Sequence, residues 1–288
     1  MKDVEGKVAF ITGGASGMGL AMARSFAKAG MKVVVADVED GALERVRKEF
    51  AGSNAFLALK VDVTDRAAMA AAADETERAF GKVHVVCNNA GVAVGGPIDQ
   101  MTYKDWDWVM GVNLQGVING VQTFIERMKK HGEGGHFVNT ASMAGQAAIG
   151  GLSIYSVTKY AVVGMSETMR QDLAPLNIGV SVLCPGVVST NIFDSGRNRP
   201  AELQDVGGVD TAKQLLTPSV LPNAERDAAL QAIMAGALDP AMVGDMVLEA
   251  IKNDDPYIFT HPELKAMTDT RQAQLNTSFE RWATYRGQ

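Results

Sequence analysis

Cysteine and histidine are scarce in this sequence of 288 residues, which contains two cysteines and four histidines. Cys87 and Cys184 each end an apolar run that is typical of a buried strand. We therefore expect two small buried side chains rather than a disulfide. None of the histidines has the spacing of a metal-ligand set, so the sequence gives no indication of a metal site.

A surplus of basic residues is also missing, because 27 lysines and arginines stand against 33 acidic residues and the net charge is −6. A nucleic-acid-binding surface requires clustered positive charge, which this balance argues against. No apolar run reaches the length of a membrane span, and residues 1–6 lack the apolar core of a signal peptide. We expect a cytoplasmic protein that binds neither nucleic acid nor membrane.

Short apolar runs alternate with helical segments over most of the chain. Runs with few polar residues are typical of strands buried on both faces of a parallel sheet. Their spacing is that of βαβ units. The pattern predicts a single α/β domain over residues 1–288, with a doubly wound, Rossmann-type parallel sheet of about seven strands and helices on both faces. We predict the strands at 7–12, 31–37, 55–61, 83–87, 134–140, 179–184 and 255–260.

A glycine-rich turn follows the first predicted strand and precedes a helical segment. It contains Gly13, Gly17 and Gly19. The N–H groups at a helix N-terminus favour an anion, and the missing side chains let a phosphate approach the main chain. The spacing differs from the G-x-G-x-x-G of other dinucleotide-binding folds. A turn made only for tight packing therefore remains an alternative to a phosphate site.

Asp37 ends the second predicted strand, 18 residues after Gly19. This is near the distance at which a carboxylate meets the adenosine ribose of a dinucleotide. A carboxylate accepts hydrogen bonds from a 2′-hydroxyl and repels a 2′-phosphate, and no arginine or lysine follows at Val38, Glu39 or Asp40. We therefore expect NAD rather than NADP. The alternative role of Asp37 as a helix cap is less favoured, because Asp40 is better placed for it.

Tyr155 and Lys159 are four positions apart in a predicted helix, 153–176, so their side chains lie on one face. A free phenol has a pKa of about 10, and a nearby ammonium is expected to lower it. Ser142 follows an apolar run, where its hydroxyl can point at a carbonyl oxygen. Asn113 lies within a long predicted helix, 101–130, although asparagine is a poor helix former. For Asn113 a packing role is equally open, and the Tyr155–Lys159 pair alone could be an ordinary helix face.

Together these motifs resemble the short-chain dehydrogenase/reductase family over residues 5–190, and they occur in the family's order. The motifs that carry the resemblance are Thr12-Gly13-x-x-x-Gly17-x-Gly19, Asn88-Asn89-Ala90-Gly91, Asn113, Ser142, Tyr155-x-x-x-Lys159 and Pro185-Gly186.

The resemblance implies an oxidoreductase that interconverts a secondary alcohol and its ketone with NAD. It implies that Tyr155 is the base, that Lys159 lowers its pKa and holds the nicotinamide ribose, and that Ser142 binds the substrate oxygen. Asn113 would anchor a water that links Lys159 to solvent. The cofactor-binding residues that it implies, besides Tyr155 and Lys159, are Gly13, Ser16, Gly17, Met18, Gly19, Asp37, Asp62, Val63, Asn89, Ala90, Gly91, Pro185, Gly186, Val188 and Thr190.

Residues 190–238 form a long insertion with little periodicity, and loops of this length are uncommon unless functional. We interpret the insertion as a substrate lid and residues 261–288 as a C-terminal helical extension. The segments 194–200 and 102–107 are also similar to bacterial C-alpha-dehydrogenases of lignin-type beta-aryl ethers, which favours a bulky, apolar or aryl alcohol. The substrate candidates, besides Ser142 and Tyr155, are Gly145, Gln146, Leu152, Phe193 and Arg197.

Other functions remain open from the sequence. A reductase for a different apolar ketone fits the same motifs. A non-catalytic NAD-binding sensor would be expected to have lost Tyr155 or Lys159, and both are present. A sugar-nucleotide epimerase would need a larger C-terminal substrate domain. The family resemblance also implies a homodimer or homotetramer.

Overall fold

The computed structural model describes residues 1–204, 231 and 235–287. The strands are β1 (Val8–Thr12), β2 (Lys32–Asp37), β3 (Phe56–Lys60), β4 (Val85–Asn88), β5 (Gly135–Thr140), β6 (Ile178–Cys184) and β7 (Tyr257–Phe259). The α-helices are α1 (Gly17–Lys28), α2 (Asp40–Glu49), α3 (Arg66–Phe80), α4 (Tyr103–Met110), α5 (Gly116–His131), α6 (Ser153–Leu173), α7 (Pro240–Asn253) and α8 (Lys265–Tyr285).

The strands form one parallel sheet in the order β3-β2-β1-β4-β5-β6-β7. The prediction of a seven-stranded, doubly wound sheet is therefore confirmed. From β1 the chain runs outward through β2 to β3, then returns to β4 on the other side of β1 and continues outward to β7. The order of the strands therefore reverses between β1 and β4. In sheets of this kind, ligands bind in the crevice at the carboxyl ends of the strands beside this reversal.

Helices cover both faces of the sheet, because alternate residues of each strand point to opposite sides. Ile11 of β1 packs in one core with Phe26 of α1 and Val247 of α7. The adjacent Phe10 packs in the other core, where its ring centre lies 4.7 Å from that of Phe124 in α5. All of these side chains are buried, so the sheet is a rigid platform between two apolar layers.

The predicted helix over 101–130 is interrupted. A π-helical turn, Gly111–Gln115, joins α4 to α5, and it contains Asn113. Thr102 caps α4 in a reciprocal pair with Asp105. The structure thus departs from the continuous helix predicted here, and the departure is one wider turn that contains the asparagine, a poor helix former.

The two ends of the insertion after β6 are hydrogen-bonded to each other. The N–H of Leu238 donates to the carbonyl of Val187, and the N–H of Ser189 donates to the carbonyl of Leu238. Of the predicted lid, 205–230 and 232–234 lie outside the described residues. The described helices include none that is both long and apolar enough to cross a membrane.

Candidate active site

The carboxyl ends of β1, β2, β4, β5 and β6 open into one cavity of about 530 Å³. It lies at the reversal of strand order, where the fold predicts a ligand site. Of the residues proposed from the sequence, the structure brings the following to its wall: Gly13, Ser16, Gly17, Met18, Asp37, Asp62, Val63, Asn89, Ala90, Gly91, Ser142, Leu152, Tyr155, Lys159, Pro185, Gly186, Val188, Thr190, Phe193 and Arg197.

The glycine-rich turn forms an anion cradle at one end of the cavity. Gly13 and Gly17 have φ angles of +59° and +50°, and a Cβ at Gly13 would approach Ala90 Cα to 2.9 Å. Helix α1 starts here with no side-chain cap from Ser16 and no acidic residue in its first turn. Its first N–H groups therefore remain available to an anionic group.

Gly19 belongs to the packing of this turn rather than to the cavity wall. A Cβ on Gly19 would lie 2.1 Å from the Gly13 carbonyl oxygen and 2.8 Å from Asn89 Nδ2. The Asn89 amide in turn donates to the carbonyls of Thr12 and Gly13, at 3.0 and 3.3 Å. The third glycine of the motif thus lets α1 approach the turn closely, which the sequence left as an alternative.

Asp37 is buried at the end of β2 and supports the same turn. Its two oxygens accept from the N–H groups of Ala15, at 3.0 Å, and Glu39, at 3.1 Å. Burial raises the pKa of Asp37, and these two hydrogen bonds oppose the rise. Asp62 is exposed and also faces the cavity, with Oδ1 held by the N–H and hydroxyl of Thr64.

Tyr155, Lys159 and Ser142 meet at the opposite end of the cavity. The Lys159 ammonium donates to the carbonyl of Thr140 at 2.8 Å and lies 5.4 Å from the centre of the Tyr155 ring. Ser142 accepts from the N–H of Ala144 at 3.1 Å, which fixes its hydroxyl at the cavity wall. A phenol, an ammonium and a hydroxyl therefore surround one point where a polar substrate atom can bind.

The electrostatics of this group differ from the sequence-based expectation. Burial raises the pKa of Tyr155 to about 12, although the Ser142 hydroxyl opposes part of the rise. Burial also lowers the pKa of Lys159 to about 8. The net shift of the phenol pKa is therefore upward rather than downward, because poorly solvated surroundings disfavour the charged forms of both groups.

Asn113 is fully buried and its side chain does not reach the cavity wall. Its Oδ1 accepts from the N–H of Val92 and its Nδ2 donates to the carbonyl of Val92, each at 2.8 Å. The π turn thereby fixes the loop that follows Gly91. Nδ2 also donates to Thr158 Oγ1 at 3.4 Å, so the side chain links this loop to α6 and serves here as a brace for it.

Two of the substrate candidates also lie outside the wall. A Cβ on Gly145 would come within 2.6 Å of the Lys159 carbonyl oxygen, so this glycine lets the chain pack on α6. The Gln146 amide donates to Cys184 Sγ at 3.4 Å, pointing away from the cavity. The placement of both residues at the substrate is corrected, because neither lines the cavity, although Met143 and Ala144 of the same turn do.

Residues 191–204, which we name the strap, form one side of the cavity. Ser195 exchanges hydrogen bonds with the main chain of Ala93, at 3.0 and 3.1 Å. At its far end Arg199 forms an ion pair with Asp105 at 2.6 Å. The sequence analysis named Phe193 and Arg197 from this segment but missed Ser195, because a serine in an aperiodic stretch gives no signal of its partner 102 residues away.

Arg197 reaches the wall at the end that contains Asp37, and it is paired there rather than directed at the other substrate candidates. Its guanidinium donates to Glu39 Oε1 at 2.6 Å, and Asn198 Nδ2 donates to the same oxygen at 2.8 Å. Burial acts to raise the pKa of Glu39, but these donors outweigh it and the pKa is lowered. The geometry therefore corrects the assignment of Arg197 to the substrate.

Apolar side chains complete the wall beside Tyr155. Ala93, Ala144 and Leu152 are buried together, with Ile192 and Phe193 packed against them. Further apolar residues that the sequence analysis did not name also line the cavity: Trp108, Met143, Ile149, Ile192, Leu203, Leu264 and Met267. Two of these, Leu264 and Met267, come from the C-terminal extension.

Comparison with known proteins agrees with this geometry. The sequence pattern described as short chain dehydrogenase matches residues 7–201. The C alpha-dehydrogenase of Sphingobium sp. (strain NBRC 103272 / SYK-6) is 39% identical over 267 residues, covering 92% of this chain and 84% of that protein. The diacetyl reductase [(S)-acetoin forming] of Staphylococcus aureus strain Mu50 is 40% identical over 190 residues, covering 66% of this chain and 74% of that protein.

A solved structure is also similar over almost the whole chain. It is a short chain dehydrogenase/reductase from Burkholderia phymatum in complex with NAD, with a TM-score of 0.87 and 38% sequence identity. The similarity covers 96% of this chain and 97% of that one.

Proposed function

The chain belongs to the short-chain dehydrogenase family, and we propose that it is an NAD-dependent oxidoreductase that interconverts a bulky, apolar or aryl secondary alcohol and its ketone. The observation that carries the proposal is the meeting of Ser142, Tyr155 and Lys159 at one end of a cavity whose other end is a glycine-rich anion cradle.

The residues at the cradle fit NAD. Uncapped N–H groups at the start of α1 suit a pyrophosphate, and Gly13 and Gly17, which have no side chains, line the cavity beside them. Asp37 and Asp62 offer carboxylate oxygens for ribose and adenine, and Thr190 lies directly against Gly17 at the cavity wall. When bound, NAD supplies the hydride acceptor for the oxidation. The similar NAD complex from Burkholderia phymatum supports the same assignment.

Tyr155 acts as the acid–base group in this proposal. Its phenol oxygen takes the proton of the substrate hydroxyl while hydride leaves the carbinol carbon, and in the reverse direction it returns that proton to the forming alcohol. Lys159 stabilises the phenolate through its ammonium charge. Ser142 donates to the substrate oxygen and stabilises the charge that develops on it. Asn113 holds the loop of Gly91 in place through Val92 and is a positioning residue.

The apolar wall beside Tyr155 supports a hydrophobic substituent on the substrate. Leu152, Ile192 and Phe193 form its upper part, and Leu264 and Met267 extend it from the C-terminal region. Such a wall binds an aryl or alkyl group through the hydrophobic effect. The similarity to a C alpha-dehydrogenase favours an aryl alcohol, and the described strap forms the part of the lid that covers it.

The test is NADH formation at mildly alkaline pH with a panel of secondary alcohols, each assayed with NAD and with NADP. We expect turnover with NAD, a preference for aryl or bulky alkyl carbinols over 2-propanol, and much lower turnover with NADP. Equal turnover with both coenzymes would contradict the NAD assignment. Preference for small or charged alcohols would contradict the substrate assignment while leaving the chemistry intact.

A further inference from the structure

The strap brings a cation to the end of the cavity that contains Asp37. Nη2 of Arg197 donates to Glu39 Oε1, and its Nη1 donates to two main-chain carbonyls of the strap itself, at 2.6 and 3.0 Å. The donors of this guanidinium are therefore directed at Glu39 and at its own segment. Both side chains are only about one-quarter exposed, so the pair is partly shielded from solvent.

The pair lies directly beside the carboxylate that faces the ribose. The N–H of Glu39 donates to Asp37 Oδ1 at 3.1 Å, and Asp37, Glu39 and Arg197 all line the same cavity. A coenzyme with a 2′-phosphate needs a cation at this place, since arginine is the preferred partner of phosphate oxygens. Arg197 could supply this cation, but its guanidinium is already paired with Glu39.

We propose that Glu39 is a second coenzyme-specificity residue, which holds Arg197 in an ion pair and thereby withholds it from a 2′-phosphate. The proposal rests on the proposed function, because it requires the adenosine ribose to lie at Asp37. It also revises the reasoning from sequence, in which no cation was near this site. A cation is present, brought from 158 positions further along the chain, and Glu39 neutralises it.

Two other cations lie near this site and serve as comparisons. Arg45, on α2, interacts with Glu39 through its charge. Lys60 pairs with Asp40 at 2.6 Å. Neither Arg45 nor Lys60 lines the cavity, so releasing them should not create a phosphate site. These residues distinguish a specific effect of Arg197 from a general reduction of negative charge.

The experiment measures the dissociation constants of ADP and of 2′,5′-ADP by calorimetry, so that no catalytic activity is needed. The starting variant is Asp37→Asn, which removes the repelling charge and retains one acceptor oxygen, enough for the N–H of either Ala15 or Glu39 but not for both. Adding Glu39→Gln should lower the dissociation constant of 2′,5′-ADP about tenfold, because the released guanidinium of Arg197 can pair with the phosphate. The dissociation constant of ADP should change less than twofold. Adding Arg197→Gln as well should abolish the gain.

Asp37→Asn combined with Asp40→Asn is the matched control, because it removes an equal charge and releases Lys60 outside the cavity. It should leave 2′,5′-ADP binding unchanged, and Arg45→Gln should not abolish the gain from Glu39→Gln. A gain of the same size with and without Arg197 would overturn the proposal in favour of simple charge removal. If ADP binds but Glu39→Gln brings no gain in 2′,5′-ADP binding, only the proposal about Glu39 is overturned. If the unmodified protein fails to bind ADP, the proposed coenzyme site is overturned as well.

Discussion

At the scale of single residues, the proposed acid–base chemistry depends on two side chains whose charged forms are both disfavoured by burial. Tyr155 has a pKa of about 12 and Lys159 one of about 8. Groups this close titrate as a pair. Loss of one proton leaves either a neutral amine beside a phenol or an ammonium beside a phenolate, and these two forms have the same proton count. The pair therefore provides a base once its first proton has left, near pH 8.

We predict that kcat/KM for alcohol oxidation rises with pH and levels off above about pH 8. The protonated pair has no base, so oxidation is slow below this pH, and ketone reduction should show the opposite trend. The measurement is a pH profile of kcat/KM in both directions at saturating coenzyme.

Lys159→Met is the informative variant for this profile. Without the amine only the phenol titrates, so the oxidation rate should remain low and should still be rising at pH 10. An unchanged inflection in the variant would show that Lys159 does not set it.

The sequence identified Ser142, Tyr155 and Lys159 correctly as neighbours, because helix geometry and strand ends fix such positions. It could not give the direction of their pKa shifts, which depends on burial within the folded protein. Nor could it separate Gly145 and Gln146, which face the interior, from Leu152, which faces the cavity. Arg197 was wrongly assigned to the substrate, because its partner, Glu39, is distant in sequence and no local pattern indicates that the two residues pair.

At the scale of secondary structure, the π turn between α4 and α5 is the element that joins scaffold to site. It places Asn113 where its amide satisfies both main-chain groups of Val92. The loop from Asn88 to Val92 carries four of the residues at the cavity wall: Asn89, Ala90, Gly91 and Val92. In a regular helix the Asn113 side chain would point at another angle and would not meet Val92. The hydrogen bonds that hold the loop therefore depend on the π turn.

We predict that Asn113→Ala lowers the free energy of unfolding by about 2–4 kcal/mol, because two buried main-chain groups lose their partners. It should also lower kcat, since the loop beside the coenzyme loses its brace. Asn113→Asp should lower the free energy of unfolding at least as much, because it would bury a carboxylate whose second oxygen faces the Val92 carbonyl. Urea unfolding followed by circular dichroism gives both values. Equal stability of all three proteins would show that these hydrogen bonds do not hold the loop.

The order and type of the elements were predictable from the sequence, because buried parallel strands leave unbroken apolar runs such as 31–37. The π turn was not, since its only signal was one asparagine in a helical pattern. Strand ends also shifted by one or two residues: the fourth strand was predicted at 83–87 and is Val85–Asn88. Where a strand ends depends on hydrogen bonding to its neighbours, which the sequence does not show.

At the scale of the whole molecule, α8 is attached to the body in an unusual way. None of its residues is buried, and Phe279, Trp282 and Tyr285 are exposed. Arg271 stacks over the ring of Tyr160, which is a modest contact. Only the start of the C-terminal extension, through Leu264 and Met267, reaches the cavity. The extension therefore contributes to the cavity wall and little to the core.

We predict that deletion of residues 265–288 changes the free energy of unfolding by no more than about 1 kcal/mol, because no buried apolar surface is lost. KM for a bulky aryl alcohol should rise severalfold, since Met267 is removed from the wall, while KM for a small alcohol changes little. Thermal unfolding and steady-state kinetics with the two substrates check this. Equal changes in both KM values would contradict a role for the extension in substrate selection.

The most direct test of the account is the turnover of Tyr155→Phe beside that of the unmodified protein, with NAD binding measured on both. The substitution removes one hydroxyl from the cavity and leaves the ring and the cradle of Gly13 in place. We predict NAD binding within twofold and a decrease in kcat of about 10²–10⁴, the usual contribution of a general acid–base group. Turnover within tenfold of the unmodified protein, with NAD still bound, would show that Tyr155 is not the base.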